Sequence, residues 1–197
     1  MPPGRRPSPP SIEVPAPAVL LPSPVTELIL NRDHYTRLIA EEVPQAKEFL
    51  WIATADLKDL HVSRGKRFVP FLAVLADLVA QGVYVRLMHA KEPGPRFRED
   101  FDRYPDLLHA ELFERILCPR LHTKAVIIDG RLAYLGSANL TGAGIGAKSD
   151  HRRNWEAGIL TDDPKLVLPL MEELDTLWRG EHCPSCQRRD VCPDPIA

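Results

Sequence analysis

Residues 122–139 read HTKAVIIDGRLAYLGSAN. The Asp129-Gly130 pair lies between two β-rich runs, Lys124–Asp129 and Arg131–Gly136. An Asp-Gly pair flanked in this way is a strong signal for a tight turn joining antiparallel strands. His122 and Lys124 are two residues apart, so on a strand they share a face, and Ser137 and Asn139 do the same after the second run. One pair opens the first strand and the other closes the second. A hairpin therefore brings His122, Lys124, Ser137 and Asn139 to one end of the sheet and leaves Asp129 at the opposite end.

These residue types suit chemistry at an anionic group, which repels nucleophiles. Lys124 supplies a fixed positive charge for the oxygens of such a group, and Ser137 and Asn139 donate hydrogen bonds. An imidazole such as His122 titrates near neutral pH, so it attacks when neutral and donates a proton when charged. Asp129, at the turn, is expected to hydrogen-bond within the turn.

The full pattern, HxKx4Dx6GSxN, resembles the signature of the phospholipase D superfamily, the HKD enzymes. Members cut or exchange phosphodiester bonds through a phosphohistidine intermediate without a metal. The resemblance implies an α/β fold, a phospholipase D-like mixed sheet flanked by helices on both faces in a single domain. It also implies a catalytic set of His122, Lys124, Asn139, Ser137 and Asp129, with one histidine attacking phosphorus and a second protonating the leaving group. A nucleophilic histidine needs a partner on its other ring nitrogen. Related single-motif enzymes place a carboxylate in an NxE element after the GSxN segment, which points to Glu156 in Asn154-Trp155-Glu156, with Asp150 in the glycine-rich loop before it as the rival.

The chain carries one copy of the motif. His89-Ala90-Lys91 is the only other HxK, and Pro93 and Pro95 follow it at once, so it reads as coincidence. His34, His61, His109 and His151 have no motif context. The second imidazole is therefore expected from a second copy of the chain, in a two-fold homodimer with one composite site.

The rest of the chain reads as alternating helices and strands, an α/β layered domain. Residues 1–24 hold nine prolines and are expected to form an extended or disordered tail. The domain is expected over 25–180. Helical spacing runs over Asn31–Glu42, a buried strand over Phe49–Leu57, an apolar helix over Phe68–Gln81 stopped by Gly82, and a strand over Val83–His89. A short helix near Phe97–His109, a strand over Leu112–Leu117, a strand over Asn154–Thr161 and a last helix over Pro164–Trp178, with Pro169 as a kink point, complete it.

Residues 181–197 form a cysteine-rich tail. Cys183, Cys186 and Cys192 are spaced to hold a structural zinc with His182, Asp190 or Asp194, or with Cys118 an iron–sulfur cluster; a thiol pair and inert thiols are the other readings. Catalysis itself calls for no cofactor. The 197 residues carry a net charge of -2, which argues against a strongly basic nucleic-acid binder overall. Arg115, Arg120, Arg131, Arg152 and Arg153 nevertheless lie near the motif in sequence. No apolar run matches a membrane span or a secretory signal, so cytoplasmic residence is expected. The functional expectation is a phosphodiesterase acting on nucleic acid. The alternatives are a phospholipase D acting on phospholipid head groups and a non-catalytic nucleic-acid or protein-binding module.

Overall fold

The computed structural model of the chain describes residues 23–58 and 60–196, so nearly all of the proline-rich segment lies outside the described residues. The described chain runs β1 (Thr26–Leu30), a π-helix (His34–Glu42), β2 (Phe49–Thr54), β3 (His61–Arg64), β4 (Arg67–Pro70), α1 (Phe71–Ala80) and β5 (Tyr84–His89). It continues through α2 (Pro95–Phe101), α3 (Pro105–His109), β6 (Phe113–Leu117), β7 (Ala125–Ile128), β8 (Leu132–Gly136), β9 (Ala157–Thr161) and α4 (Pro164–Trp178). Seven strands form one sheet in the order β1-β9-β8-β7-β2-β5-β6, and β3 and β4 pair separately. The β2–β5 and β5–β6 pairs are parallel and the others antiparallel, which gives the mixed sheet expected.

The hairpin read from residues 122–139 lies within this sheet. Asp129 and Gly130 both take left-handed backbone angles, φ 53° and 62°. The Arg131 N–H closes the turn on the Ile128 carbonyl at 3.0 Å. Two successive left-handed residues match the twist of the strands they join.

β7 is buried at every position because both faces of the sheet are covered at this strand. Val126 and Ile128 pack into a core with the π-helix, α1, Phe97 and Leu107. Ala125 and Ile127 pack on the other face with Val167 and Leu174 of α4. This alternation by two gives each face its own core. Arg86 ties α4 down: its guanidinium lies between Trp51 and Trp178, 4.7 and 4.8 Å from the ring centres, and bonds Asp175 at 2.8 Å.

Three expectations need correction. The apolar helix begins at Phe71, not Phe68, because Pro70 sits extended at its N-cap and Arg67–Pro70 pair with β3. The segment Phe97–His109 is two helices, the second restarting at Pro105. The last strand begins at Ala157, which leaves Asn154–Glu156 as its lead-in. α4 runs through Pro169 as one helix. β1 was not foreseen. It completes the sheet by pairing with β9 along its length, from Thr26 opposite Thr161 to Leu30 opposite Ala157. No helix among the described residues is long and apolar enough to cross a membrane.

Candidate active site

Strands β2, β7, β8 and β9 run alternately up and down, so their ends meet at one edge of the sheet. There lie the end of β2 at Thr54, the start of β7, the end of β8 and the lead-in to β9. The same edge carries the carboxyl ends of the parallel strands β2, β5 and β6, where open α/β sheets bind ligands.

His122 is exposed just before β7, and Lys124 is buried, with 7% of its surface open. Lys124 Nζ lies 3.2 Å from His122 Nδ1, 3.3 Å from Nε2 and 2.7 Å from the His122 carbonyl. Burial lowers the Lys124 pKa, and the negative charge of Glu156 pulls it back up. The Gly136 N–H bonds the Lys124 carbonyl at 3.1 Å, which sets Ser137 beside the lysine. The two ends of the hairpin therefore meet as the spacing predicts.

Ser137 Oγ donates to Glu156 Oε2 and accepts from the Ala157 N–H at 3.1 Å. Asn154 Nδ2 donates to Glu156 Oε1 at 3.1 Å. Glu156 is thus the carboxylate brought to the motif, while Asp150 pairs with Arg153 at 3.1 Å. The expected contact of Glu156 with the His122 ring is not the one formed. The ring's partner is Lys124, and Glu156 is occupied by Ser137 and Asn154.

Asn139 is held by groups the sequence did not single out. Its Oδ1 accepts from the Asp56 N–H at 3.0 Å and from Thr54 Oγ1 at 3.4 Å. Thr54 Oγ1 also accepts from the Leu140 N–H at 2.9 Å. Asn31 was missed as well. It has a left-handed backbone, φ 50°, and exchanges two bonds with Glu156: N–H to carbonyl at 2.9 Å, and Oδ1 from the Glu156 N–H at 3.1 Å.

The motif glycine has a steric reason. A Cβ on Gly136 would meet the Ala157 carbonyl and the Gly158 Cα at 2.7 Å, and the Tyr134 hydroxyl closer still. Gly136 and Gly158 are cross-strand partners, and together they leave room for the Tyr134 ring. Tyr134 is fully buried, accepts the Ala138 N–H at 3.2 Å, and has its pKa raised by burial.

Asp129 lies at the other end of the hairpin. Its carboxylate accepts the backbone N–H groups of Lys47, Glu48 and Phe49 at 2.9–3.1 Å. Its work is to bind the turn to the start of β2, remote from His122.

The second HxK is structural in its contacts. His89 is fully buried with Nδ1 on the Lys91 carbonyl at 2.8 Å, and Lys91 Nζ pairs with Asp56 at 3.1 Å. His34 is also buried, with Nδ1 on the Asn31 carbonyl at 2.8 Å and its ring set edge-on to Tyr134. Burial lowers the pKa of both imidazoles against the raising effect of their backbone bonds. In the unfolded chain they titrate near 6.5. Their contribution to stability is present above that value and is lost as the pH falls toward the depressed folded values. Unfolding free energy should therefore decline from pH 6.5 to 5, by about 1.4 kcal/mol per pH unit for each proton taken up. Denaturant melts checking this should show a shallower slope in His89→Gln, and an unchanged slope contradicts the assignment.

The arginines divide. Arg131 sits at the turn with Glu42, far from the site. Arg115 pairs with Glu92, and Arg153 with Asp150 and the Trp155 ring. Arg120 lines a cavity of about 270 Å³ together with His122.

Cys118, Cys183 and Cys186 line that same cavity, whereas Cys192 lies with its Sγ 3.9 Å from the Leu117 carbonyl. Cys183, Cys186 and Cys192 are not drawn to one point. Among the described residues no three His, Cys, Asp or Glu side chains are grouped to hold a metal ion.

The family model of the cardiolipin synthase, PLD-like domain matches residues 39–178. A mitochondrial cardiolipin hydrolase of Chlamydomonas reinhardtii is 30% identical over 105 residues, which are 53% of this chain and 44% of that protein. The chain thus spans less than half the length of that relative. Among solved structures, NucT from Helicobacter pylori superposes with TM-score 0.58 at 18% identity, over 78% of this chain and 95% of its own. Nuc from Salmonella typhimurium, a phospholipase D family member, gives TM-score 0.58 at 16% identity, over 79% and 95%. TrmBL2, an archaeal chromatin protein, gives 0.52 at 14% identity, over 78% and 51%. At these identities the structural likenesses establish the fold. The family model carries the relationship, since it covers the sheet from β2 to β9, the helices between and α4, and so the chain belongs to the phospholipase D superfamily of phosphodiesterases.

Proposed function

We propose that the chain hydrolyses phosphodiester bonds in nucleic acid through a phosphohistidine at His122, in a two-fold homodimer. The observation that carries this is the exposed His122 beside a buried ammonium, at the sheet edge where open α/β folds take ligands. The His122 ring attacks phosphorus, a P–N bond forms and the P–O bond to the leaving group breaks. A second imidazole protonates the departing oxygen, then takes a proton from water as that water attacks phosphorus and the P–N bond breaks. Lys124 offsets the charge on the non-bridging oxygens, helped by the Asn139 amide NH2, whose carbonyl end is spent on Asp56 and Thr54. The Ser137 O–H is spent on Glu156. We therefore assign Ser137 and Glu156 to positioning the β8–β9 edge, and Asp129 to the turn.

The second imidazole comes from a second copy. His89 and His34 are buried, and His182, which lines the cavity beside His122, lies beyond the residues that the family model matches. An uncovered sheet face supports the dimer. Leu28 of β1 lies opposite Ile159, which lies opposite Leu135, and Leu28 and Leu135 are 66% and 42% exposed. Leu30, 44% exposed, lies opposite Ala157, whose N–H bonds Ser137. An apolar row that ends beside the site is where a partner completing that site has to pack. Leu28→Asp and Leu135→Asp should each shift the protein from dimer to monomer in sedimentation velocity and lose activity in proportion. A stable dimer in both variants contradicts this interface.

A lipid substrate is the second reading, favoured by the cardiolipin hydrolase relative and by the family's description. The two separate on a substrate panel of single-stranded DNA, duplex DNA, RNA and cardiolipin vesicles, all in EDTA. The nucleic-acid reading expects cleavage of a polynucleotide, with affinity falling steeply as salt rises. Hydrolysis of cardiolipin alone overturns it.

A further inference from the structure

The family match ends at Trp178, yet the chain continues as an ordered segment lying against the site. Asp194 Oδ2 accepts the Leu117 N–H at the end of β6 at 2.8 Å. Arg188 donates to the Pro119 carbonyl at 3.3 Å. Arg189 donates to the carbonyls of Cys183 and Ile196 at 3.3 and 3.0 Å, holding the segment folded on itself. The stretch it grips, Leu117–Leu121, leads directly into His122. The docked segment thus walls two cavities that share Arg120 and His182. One, about 270 Å³, contains His122, and the other, about 560 Å³, contains Arg188, Ser185 and Gln187.

We propose that Arg120 and Arg188, with His182, form a shelf beside His122 that holds a phosphate of the polynucleotide next to the one being cut. Two guanidiniums reach it from segments about 70 residues apart in sequence, each a fork suited to phosphate oxygens. Among the described residues, the only carboxylate lining either cavity is Glu173. The Cys186 thiol lies among these groups, its pKa lowered by hydrogen bonding from the Arg188 backbone and from the Arg120 side chain. A phosphodiester chain presents an anion at every nucleotide, so a cation placed beside the reacting centre fixes the register of the strand. In a two-fold dimer, symmetry sets one shelf on each side of the paired imidazoles.

The proposal rests on the nucleic-acid reading, and binding separates its failure from that of the reading. Single-stranded oligonucleotide affinity is measured across salt concentrations with the full chain carrying His122→Ala. Added Arg188→Ala or Arg120→Ala should each weaken binding about 5- to 10-fold at low salt and reduce the slope of log affinity against log salt by about 0.7. Arg131→Ala, at the far end of the hairpin, should leave the slope unchanged, and Arg188→Lys should keep most of it. In the otherwise active chain, Arg188→Ala should lower oligonucleotide hydrolysis several-fold more than hydrolysis of bis(p-nitrophenyl) phosphate, because that diester has no neighbouring phosphate to reach the shelf. An unchanged salt slope in both arginine variants overturns the proposal. So does an equal loss on the small diester, which would mean that Arg188 acts by placing His122. If the wild type cleaves no polynucleotide but the arginines still set the slope, the shelf stands and the cleavage reading falls.

Discussion

His122→Ala should abolish diester hydrolysis, with kcat falling about 10^4-fold or more, while oligonucleotide affinity changes little. The size follows from what is removed. On the proposed mechanism the substitution takes away the nucleophile and, by symmetry, the proton donor, and proton transfer alone is worth about 10^2 to 10^4-fold. Lys124 and Asn139, which the proposal sets against the phosphate charge, remain. The loss should be the same with and without EDTA. Quenching wild type in alkali during turnover should trap phosphorus on histidine as an acid-labile adduct, and His122→Ala should trap none. A variant retaining a tenth of wild-type kcat would remove His122 from the reaction.

Asp129→Ala should be the most destabilising substitution in the motif and yet leave chemistry intact. The carboxylate is 10% exposed and satisfies three consecutive backbone N–H groups. Removing it orphans those donors and releases the turn from the start of β2. Hydrogen bonds to a charged acceptor contribute about 1.5–3 kcal/mol each, and losses within one network overlap. About 3 kcal/mol is expected, a fall in Tm of roughly 6–12 °C for a chain of this size. Well below that Tm, kcat should match wild type. A normal Tm with lost kcat would place Asp129 in the reaction after all.

The hairpin was legible because its information is local. Asp129-Gly130 fixes the turn, and period-two spacing fixes which side chains meet, so the meeting of Lys124 with the Ser137 end follows from eighteen consecutive residues. Glu156 could be placed through the NxE element that the resemblance implies, although its partner could not. The choice between Ser137 and His122 depends on Asn31, a left-handed residue 125 positions earlier that holds the Glu156 backbone. β1 was hidden for a similar reason. Thr26–Leu30 is too short to declare itself, and its pairing with β9 is made across the whole chain. Pro70 misled by sitting inside an apolar run, where an extended residue ends a hairpin and opens α1 at once. Nor could spacing show that the cysteine tail docks on Leu117 and Pro119 and shares a cavity with His122. That contact depends on where β6 ends in space.

The paired imidazole is tested most directly by subunit mixing. Wild type and His122→Ala chains are unfolded together, refolded in varied ratios and assayed on one substrate. If both histidines of a dimer serve one site, activity follows the square of the wild-type fraction, so an equal mixture retains one quarter. Activity that follows the fraction itself, with half retained at equal mixing, means that each chain works alone and contradicts the shared site.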